Sequence, residues 1–363
     1  MFKISIFLTA LDGGGAERVM INLAKGFLES GIEVDLLLVK AEGPYLEQIP
    51  DRVRLIDFNR DRLIYSVSDL INYLNKEQPN VLLTALDTNV IAAWIKRWKN
   101  ISTKTIVTVH NQLSIESRHG KSIKRKLTAK FAKWFYPWAD EIVAVSKGVA
   151  LDLVEIGLPE AKIKVIYNPI VDDELNRKIA TDFQHPWFEE DQPPVILGVG
   201  RLTKQKSFAT LIKAFAHVRQ QQHFRLMILG EGEERKQLES LIKELKIESD
   251  VSLFGFVDNP YMYMSKAKLL VLSSVWEGFG NVLVEAMAAG TPVVSVNCPS
   301  GPAEILADGE YGELVTVGDS DRLAQAIIKT LPKMIDSQIL KDRASKFSLQ
   351  QATNQYMELF NPT

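Results

Sequence analysis

The 363-residue chain has a single cysteine, Cys298, which excludes an internal disulfide and any cysteine-cluster metal site. That scarcity fits a reducing cytoplasm, and Cys298 reads as a small buried hydrophobe. An excess of one charge is also lacking: 43 Lys and Arg stand against 45 Asp and Glu, a net charge of -2. Nucleic acid is therefore not an expected partner. No apolar run approaches the roughly 20 residues of a membrane span, so any membrane contact is expected to be peripheral. Histidines are few, and His119, His185, His217 and His223 show no paired metal spacing. The opening stretch "MFKISIFLTALDGGG" has an apolar run like that of a signal peptide. A glycine turn and a helical pattern follow it in place of a small-residue cleavage site, so it reads as a first buried strand.

What remains is 46% hydrophobic and 24% charged residues, a globular composition at about twice a typical domain length. Short apolar runs rich in β-branched residues recur at "KISIFLTAL", "EVDLLLV", "NVLLTAL", "KTIVTV", "DEIVAV" and "KIKVIYNP", most of them separated by helical spacing. The pattern stops in "DDELNRKIATDFQHPWFEEDQPP" and resumes with "PVILGVG", "RLMILG", "VSLFGF", "KLLVLSS" and "PVVSVN". The expected class is α/β: a first domain over 1–171, a connection over 172–194 and a second domain over 195–345. Ligands of open parallel sheets sit outside the carboxyl ends of the strands, so chemistry is expected in a cleft between the domains.

In "SSVWEGFGNVLVEAMAAGTPVV", Glu277 precedes a Gly-Phe-Gly turn and Glu285 lies about one turn into the helix that starts near Asn281. A helix start offers N–H groups and partial positive charge to an anion, and glycines allow close approach. Carboxylates beside a phosphate suit sugar and ribose hydroxyls, although two solvated glutamates near a helix start would also fit the spacing. Arg201 and Lys206 in "GRLTKQKS" could neutralise a leaving diphosphate or simply cap a strand. "DGGGAER" is a poor dinucleotide fingerprint, because Arg18 replaces the last glycine and Val39-Lys40 supplies no acid; a tight strand-to-helix turn is the plain alternative. His110 ends a strand and is either structural or functional. The Asp-x-Asp in "GDSD", 318–321, reads as a helix N-cap, and no metal or other cofactor is expected.

Together these segments resemble the retaining glycosyltransferases of GT-B family four. The resemblance rests on Glu-x7-Glu within "GFGNVLVEAMAAGTPVV", with "GGGAER", "VHN", "AVS" at 144–146, "YNP" at 167–169 and "GRLTKQKSF", and it covers nearly the whole chain. It implies two Rossmann-like domains with parallel sheets facing across a cleft, and a C-terminal helix over 346–363 crossing back to the first domain. It further implies a nucleotide-diphosphate sugar donor, UDP-linked, and transfer with retention. Glu277 would lie near the donor sugar, Glu285 would bind the ribose, and Phe279, Gly280, Asn281 and Val282 would border the diphosphate and sugar. Arg201 and Lys206 would meet the leaving diphosphate, Gly230 and the backbone at Phe256 and Val257 the nucleotide, and His110 the transferred sugar. Gly13, Gly14 and Gly15 would approach donor phosphate and acceptor. No residue can be assigned as a carboxylate nucleophile, so front-face substitution is the expected route.

"HGKSIKRKLTAKFAKWFYPWAD", 119–140, carries Lys121, Lys124, Arg125, Lys126, Lys130 and Lys133, with Ile123, Leu127, Phe131, Trp134 and Phe135 at near-helical spacing. Such a helix either lies on an anionic membrane, favouring a lipid-linked glycan acceptor at the inner face of the cytoplasmic membrane, or packs its stripe on its own domain. "CPSGPAEIL" resembles a stretch in bacterial enzymes that extend such glycans. The alternatives are a nucleotide-sugar epimerase of the same fold and a non-catalytic nucleotide-sugar-binding partner subunit. A dinucleotide oxidoreductase has the least support.

Overall fold

The structure is a computed structural model that describes residues 2–119, 123–333 and 335–360. Its strands are β1 (Lys3–Leu8), β2 (Glu33–Leu38), β3 (Arg54–Asp57), β4 (Val81–Ala85), β5 (Lys104–Val109), β6 (Glu141–Ala144), β7 (Ile163–Val165), β8 (Val195–Val199), β9 (Arg225–Leu229), β10 (Val251–Gly255), β11 (Leu269–Leu272), β12 (Val293–Val296) and β13 (Glu313–Val315). They form a seven-stranded sheet in the order β3-β2-β1-β4-β5-β6-β7 and a six-stranded sheet in the order β10-β9-β8-β11-β12-β13. Every pairing between these strands is parallel. Helices cover both faces of such sheets, which is why β1, β4, β5 and β11 are almost completely buried and why apolar residues dominate β1, β4 and β11.

Strand order reverses between β1 and β4 and again between β8 and β11. These are the switch points where crossover helices leave in opposite directions and a crevice opens at the carboxyl edge. Gly13–Gly15 follow β1, the segment Gly200–Ser207 follows β8, and Ser273–Gly280 follows β11. The motifs singled out in the sequence therefore sit where the topology leaves room for a ligand. The strands β3 and β13, which gave no apolar signal, are edge strands; β3 is mostly exposed and β13 half-buried. An edge strand buries little side chain and so writes little into the sequence.

The chain divides into two compact units. One runs to Pro169 and includes the stretch from Leu349 onward; the other is Ile170–Ser348. Residues 172–194, expected as a connection, lie within the second unit. Asp172 caps the helix Asp173–Ile179 by accepting from the Leu175 N–H at 2.7 Å. Further on, Phe183 and His185 pack their rings on Tyr263 and Phe254 at centroid separations of 4.6 and 5.3 Å. Aromatic edges hold this segment, which is why it shows no apolar period. Asp319 caps the helix Ser320–Thr330 through the Arg322 N–H at 2.9 Å. Among the described residues no helix is long and apolar enough to cross a membrane.

The C-terminal helix Leu349–Phe360 belongs to the first unit and packs on the helix Gly15–Glu29, where Phe27 meets Tyr356 and Phe360 at 6.2 and 5.4 Å between ring centroids. Gly26 makes that approach feasible. A Cβ there would stand 2.1 Å from Thr353 Oγ1 and 2.9 Å from Leu349 Cδ1. Alanine normally gains about 1 kcal/mol over glycine inside a helix, but Gly26→Ala is expected to reverse that sign and destabilise by roughly 1–3 kcal/mol through overpacking. Urea denaturation checks this. Adding Thr353→Ala should recover part of the loss, and a Gly26→Ala protein as stable as its parent would show that the helices part without cost.

Candidate functional site

In the second unit, β8 is followed by Gly200, whose φ of +152° and missing side chain leave room for the Lys206 stem; a Cβ would stand 3.2 Å from Lys206 Cε. Lys206 thereby turns back and donates from Nζ to Glu277 Oε1 at 2.6 Å. Ser274 Oγ donates to the same oxygen at 2.6 Å. Both charged side chains are largely buried, with 18% and 9% of their surfaces exposed. The two loops are tied along their length: the Val275 N–H donates to the Gln205 carbonyl at 2.7 Å, Gln205 Nε2 to the Trp276 carbonyl at 3.0 Å, and Ser273 Oγ to the Lys206 carbonyl at 2.8 Å. Sequence reading assigned Glu277 and Lys206 separate roles; the fold makes them one ion pair. Arg201 stands exposed just past β8.

A third segment braces the pair from behind. Ser300, held at φ +63°, donates from Oγ to the carbonyls of Glu277 and Gly278 at 2.7 and 3.2 Å. At the next position a Cβ on Gly301 would stand 1.7 Å from the Phe279 carbonyl oxygen, so only glycine permits this contact. Cys298 is buried nearby, and burial together with the Glu277 charge pushes its thiol well above the usual range. It remains protonated and apolar, as the sequence reading expected.

Gly280, at φ +100°, opens the helix Asn281–Ala288, whose first turn carries no acidic residue. The partial positive charge of that helix start is therefore not offset by an acid of its own first turn. Phe279 points inward to Phe347 at 5.3 Å and is buried, so this position presents backbone. Glu285 is also buried, while Asn281 and Val282 are half-buried. Gly230, at φ +141°, follows β9; its N–H donates to the Gly255 carbonyl at 2.7 Å and a Cβ would stand 2.0 Å from the Gly200 carbonyl oxygen. This packs the turns after β8, β9 and β10 against one another. Phe256 is exposed beside them and Val257 half-buried.

In the first unit, Gly13 takes φ +91° and Gly14 caps the helix Gly15–Glu29. The tight turn is real, and Glu17 folds back onto it: a Cβ on Gly14 would stand 2.2 Å from Glu17 Oε2. The two glycine turns thus differ in charge, one free of first-turn acid and the other carrying a carboxylate. His110 follows β5; Nε2 lies 3.0 Å from Thr108 Oγ1, and burial pulls the imidazole down from 6.5 to about 4.

The basic segment folds as the helices Ile123–Lys126 and Thr128–Phe135 with a short turn through Trp138. Arg125, Lys126, Lys130, Lys133 and Trp134 are exposed, whereas Phe131 and Phe135 are half-buried. The apolar stripe is therefore split between packing and exposure. Lys121 and the side chain of Lys124 lie outside the described residues.

Residues 13–174 match the model described as Glycosyltransferase Family 4, and residues 180–347 match Glycosyl transferases group 1. A Campylobacter jejuni relative, N-acetylgalactosamine-N,N'-diacetylbacillosaminyl-diphospho-undecaprenol 4-alpha-N-acetylgalactosaminyltransferase, is 32% identical over 90% of this chain and 89% of its own. The chain belongs to the family 4 glycosyltransferases. A lipopolysaccharide core biosynthesis glycosyltransferase of Rhizobium meliloti, LpsE, is 27% identical over 98% of both chains. Among solved structures, Anabaena HepE in complex with UDP-glucose is similar at a TM-score of 0.82, with 23% identity over 99% of both chains. Two α/β units with wholly parallel sheets are the GT-B fold that the resemblance implied.

Three side chains of this family 4 glycosyltransferase that hold the expected site residues in place escaped sequence reading: Ser274, Ser300 and Thr108. Ser274 could have been noticed, since it lies three residues before Glu277 in one loop. Thr108 likewise lies two residues before His110, whereas Ser300 carries no local signal, because its partners Glu277 and Gly278 stand on another loop. The depressed His110 value has a consequence for stability. Folded, the ring stays neutral down to about pH 4; unfolded, it takes a proton through 6.5. The unfolded state binds more protons between those values, so stability is expected to fall as pH drops from 6.5 towards 4, by up to roughly 3 kcal/mol. Urea titrations across that range should show a shallower fall for His110→Asn; an unchanged slope would place the dependence elsewhere.

Proposed function

We propose that this glycosyltransferase moves a sugar from a uridine diphosphate donor to a glycan carried on a polyprenyl diphosphate, with retention at the anomeric carbon and without a metal ion. The Lys206–Glu277 pair at the switch point of the second sheet carries this reading. The donor diphosphate lies at the acid-free start of the helix Asn281–Ala288, beside Lys206 and Arg201. Glu285 takes the ribose hydroxyls, and the backbone at Gly230, Phe256 and Val257 borders the base. As the anomeric C–O bond breaks, charge grows on the departing phosphate, and the two cations stabilise it. The acceptor oxygen bonds to the anomeric carbon on the same face, and its proton passes to the departing phosphate oxygen. Glu277, fixed by Lys206 and Ser274, turns towards the sugar and offsets the positive charge that develops there. His110 contacts the sugar, and the glycine turn Gly13–Gly15, with Glu17 on it, takes hydroxyl-bearing groups rather than phosphate.

The acceptor class is supported by the diphospho-undecaprenol in the name of the Campylobacter relative and by the lipopolysaccharide role in that of LpsE. The donor is supported by the UDP-glucose bound in HepE. Thermal shift with UDP, GDP and ADP sugars in EDTA, followed by transfer assays, should select one UDP-sugar. Glu277→Gln is expected to lower kcat on the order of 10²- to 10³-fold, as loss of one charge-stabilising group does, while UDP still binds. Near-normal turnover of that variant would sink the role of Glu277. Isomerised sugar released without acceptor would favour an epimerase, and UDP-sugar binding without turnover a binding subunit.

For the membrane, we propose that the surface of 123–138 extends onto the helix Thr88–Lys99, which packs beside it. Neither segment contains an acid; they supply Arg97, Lys99, Lys126, Lys130 and Lys133, with Trp98 and Trp134 exposed. Tryptophan and cations together suit an anionic headgroup layer. Flotation with phosphatidylglycerol vesicles should carry the protein up, less so at high salt, and phosphatidylcholine vesicles should not. Equal flotation with both, or none, would contradict the charge-led contact.

A further inference from the structure

Hydrogen counting around His110 finds one arrangement of its proton that satisfies both polar contacts of Thr108. The Thr108 hydroxyl donates to the Thr84 carbonyl at 2.7 Å. Thr84 and Thr108 are wholly buried, so that single proton is committed and no water competes for it. Thr108 Oγ1 also lies 3.0 Å from His110 Nε2. Both contacts are hydrogen bonds only when Oγ1 gives its proton to the carbonyl, the shorter of the two, and accepts from Nε2, which then carries the hydrogen. Nδ1 of the neutral ring is then a bare lone pair, and it is buried with no hydrogen-bond partner among the described residues.

The threonine that imposes this is itself fixed. Thr84 Oγ1 donates to Asn89 Oδ1 at 2.6 Å, and Asn89 Nδ2 donates to the Thr108 carbonyl at 2.7 Å. Three neutral side chains on β4, β5 and the helix Thr88–Lys99 close a loop of hydrogen bonds. A buried acceptor without a donor is costly, and it persists in native proteins where a ligand or water completes it.

We propose that Thr108 is a positioning residue for the transfer reaction: by accepting from Nε2–H it holds His110 as a neutral acceptor at Nδ1, set to receive a hydrogen bond from a hydroxyl of the bound sugar. This rests on the reading above that His110 meets the donor sugar. A ring with its proton on Nδ1, or an imidazolium, would offer a donor there instead and would favour a different set of sugar oxygens. The depressed affinity of the buried ring for a second proton supports the same assignment.

Long-range proton–nitrogen spectra of the labelled full-length protein test the tautomer directly. The expected result is a pyridine-like Nδ1 and a protonated Nε2. In Thr108→Val the preference should be lost, and kcat/KM for transfer from UDP-glucose, UDP-galactose or UDP-N-acetylgalactosamine should fall roughly tenfold, the scale of one hydrogen bond. UDP affinity should not change, since UDP lacks the sugar, and Thr108→Ser should restore both signals. A wild-type spectrum with the proton on Nδ1 would overturn the proposal even if the valine variant failed to fold. A shifted tautomer with unchanged kcat/KM would overturn the positioning role. Absence of transfer from all three donors by the wild type, with Nε2 protonated, would instead overturn the glycosyl-transfer reading and the sugar contact with it, while the tautomer stood.

Discussion

Parallel pairing throughout both sheets is the constraint on which the remaining features depend. A parallel strand cannot turn back into its neighbour, so each must leave at its carboxyl edge and return through a crossover. All loops with freedom to vary are thereby gathered at one edge of each sheet. The reversal of order between β1 and β4, and between β8 and β11, then parts those loops at one place in each sheet. Gly13, Gly200 and the Glu277 loop lie at these points, where the parted loops leave room for close backbone approach.

The Lys206–Glu277 pair illustrates what that location costs. Two charges held largely away from water lose more hydration than their attraction returns, unless further hydrogen bonds complete the set. Ser274 supplies one, and Gly200 supplies the space that lets the lysine turn back. Ser300 holds the loop's carbonyls from a left-handed backbone conformation that serine rarely adopts. Strain and buried charge gathered where three loops meet are what a pre-arranged reaction centre requires, since the arrangement is made during folding and not at the moment of reaction.

Most of the fold could be read from the chain because apolar residues dominate most of the buried parallel strands; "ISIFL" and "LLVL" can hardly be anything else. What escaped was written in other terms. The strand Arg54–Asp57 is charged because it lies at an edge, and 172–194 lacks an apolar period because aromatic rings, several of them edge to face, hold it. At the site, residue types and spacing drew attention to Glu277, Lys206 and His110, and the family resemblance gave them roles. Their partnership was not, since Lys206 and Glu277 are 71 positions apart and meet only because β8 and β11 are neighbours.

The packing of the last helix on Phe27 has a further consequence, for the order of assembly. The first unit is interrupted at Pro169 and resumed at Leu349, so the second unit is an insertion within it. The strand order of the first sheet is complete long before its outer layer is. During synthesis, Phe27 and the groove beside Gly26 must wait for some 180 residues of another unit to emerge before Tyr356 and Phe360 can cover them, at the ordinary pace of roughly 5–20 residues per second. The nascent protein thus carries an uncovered apolar groove for many seconds, and the first unit is sealed only after the whole of the second has been made.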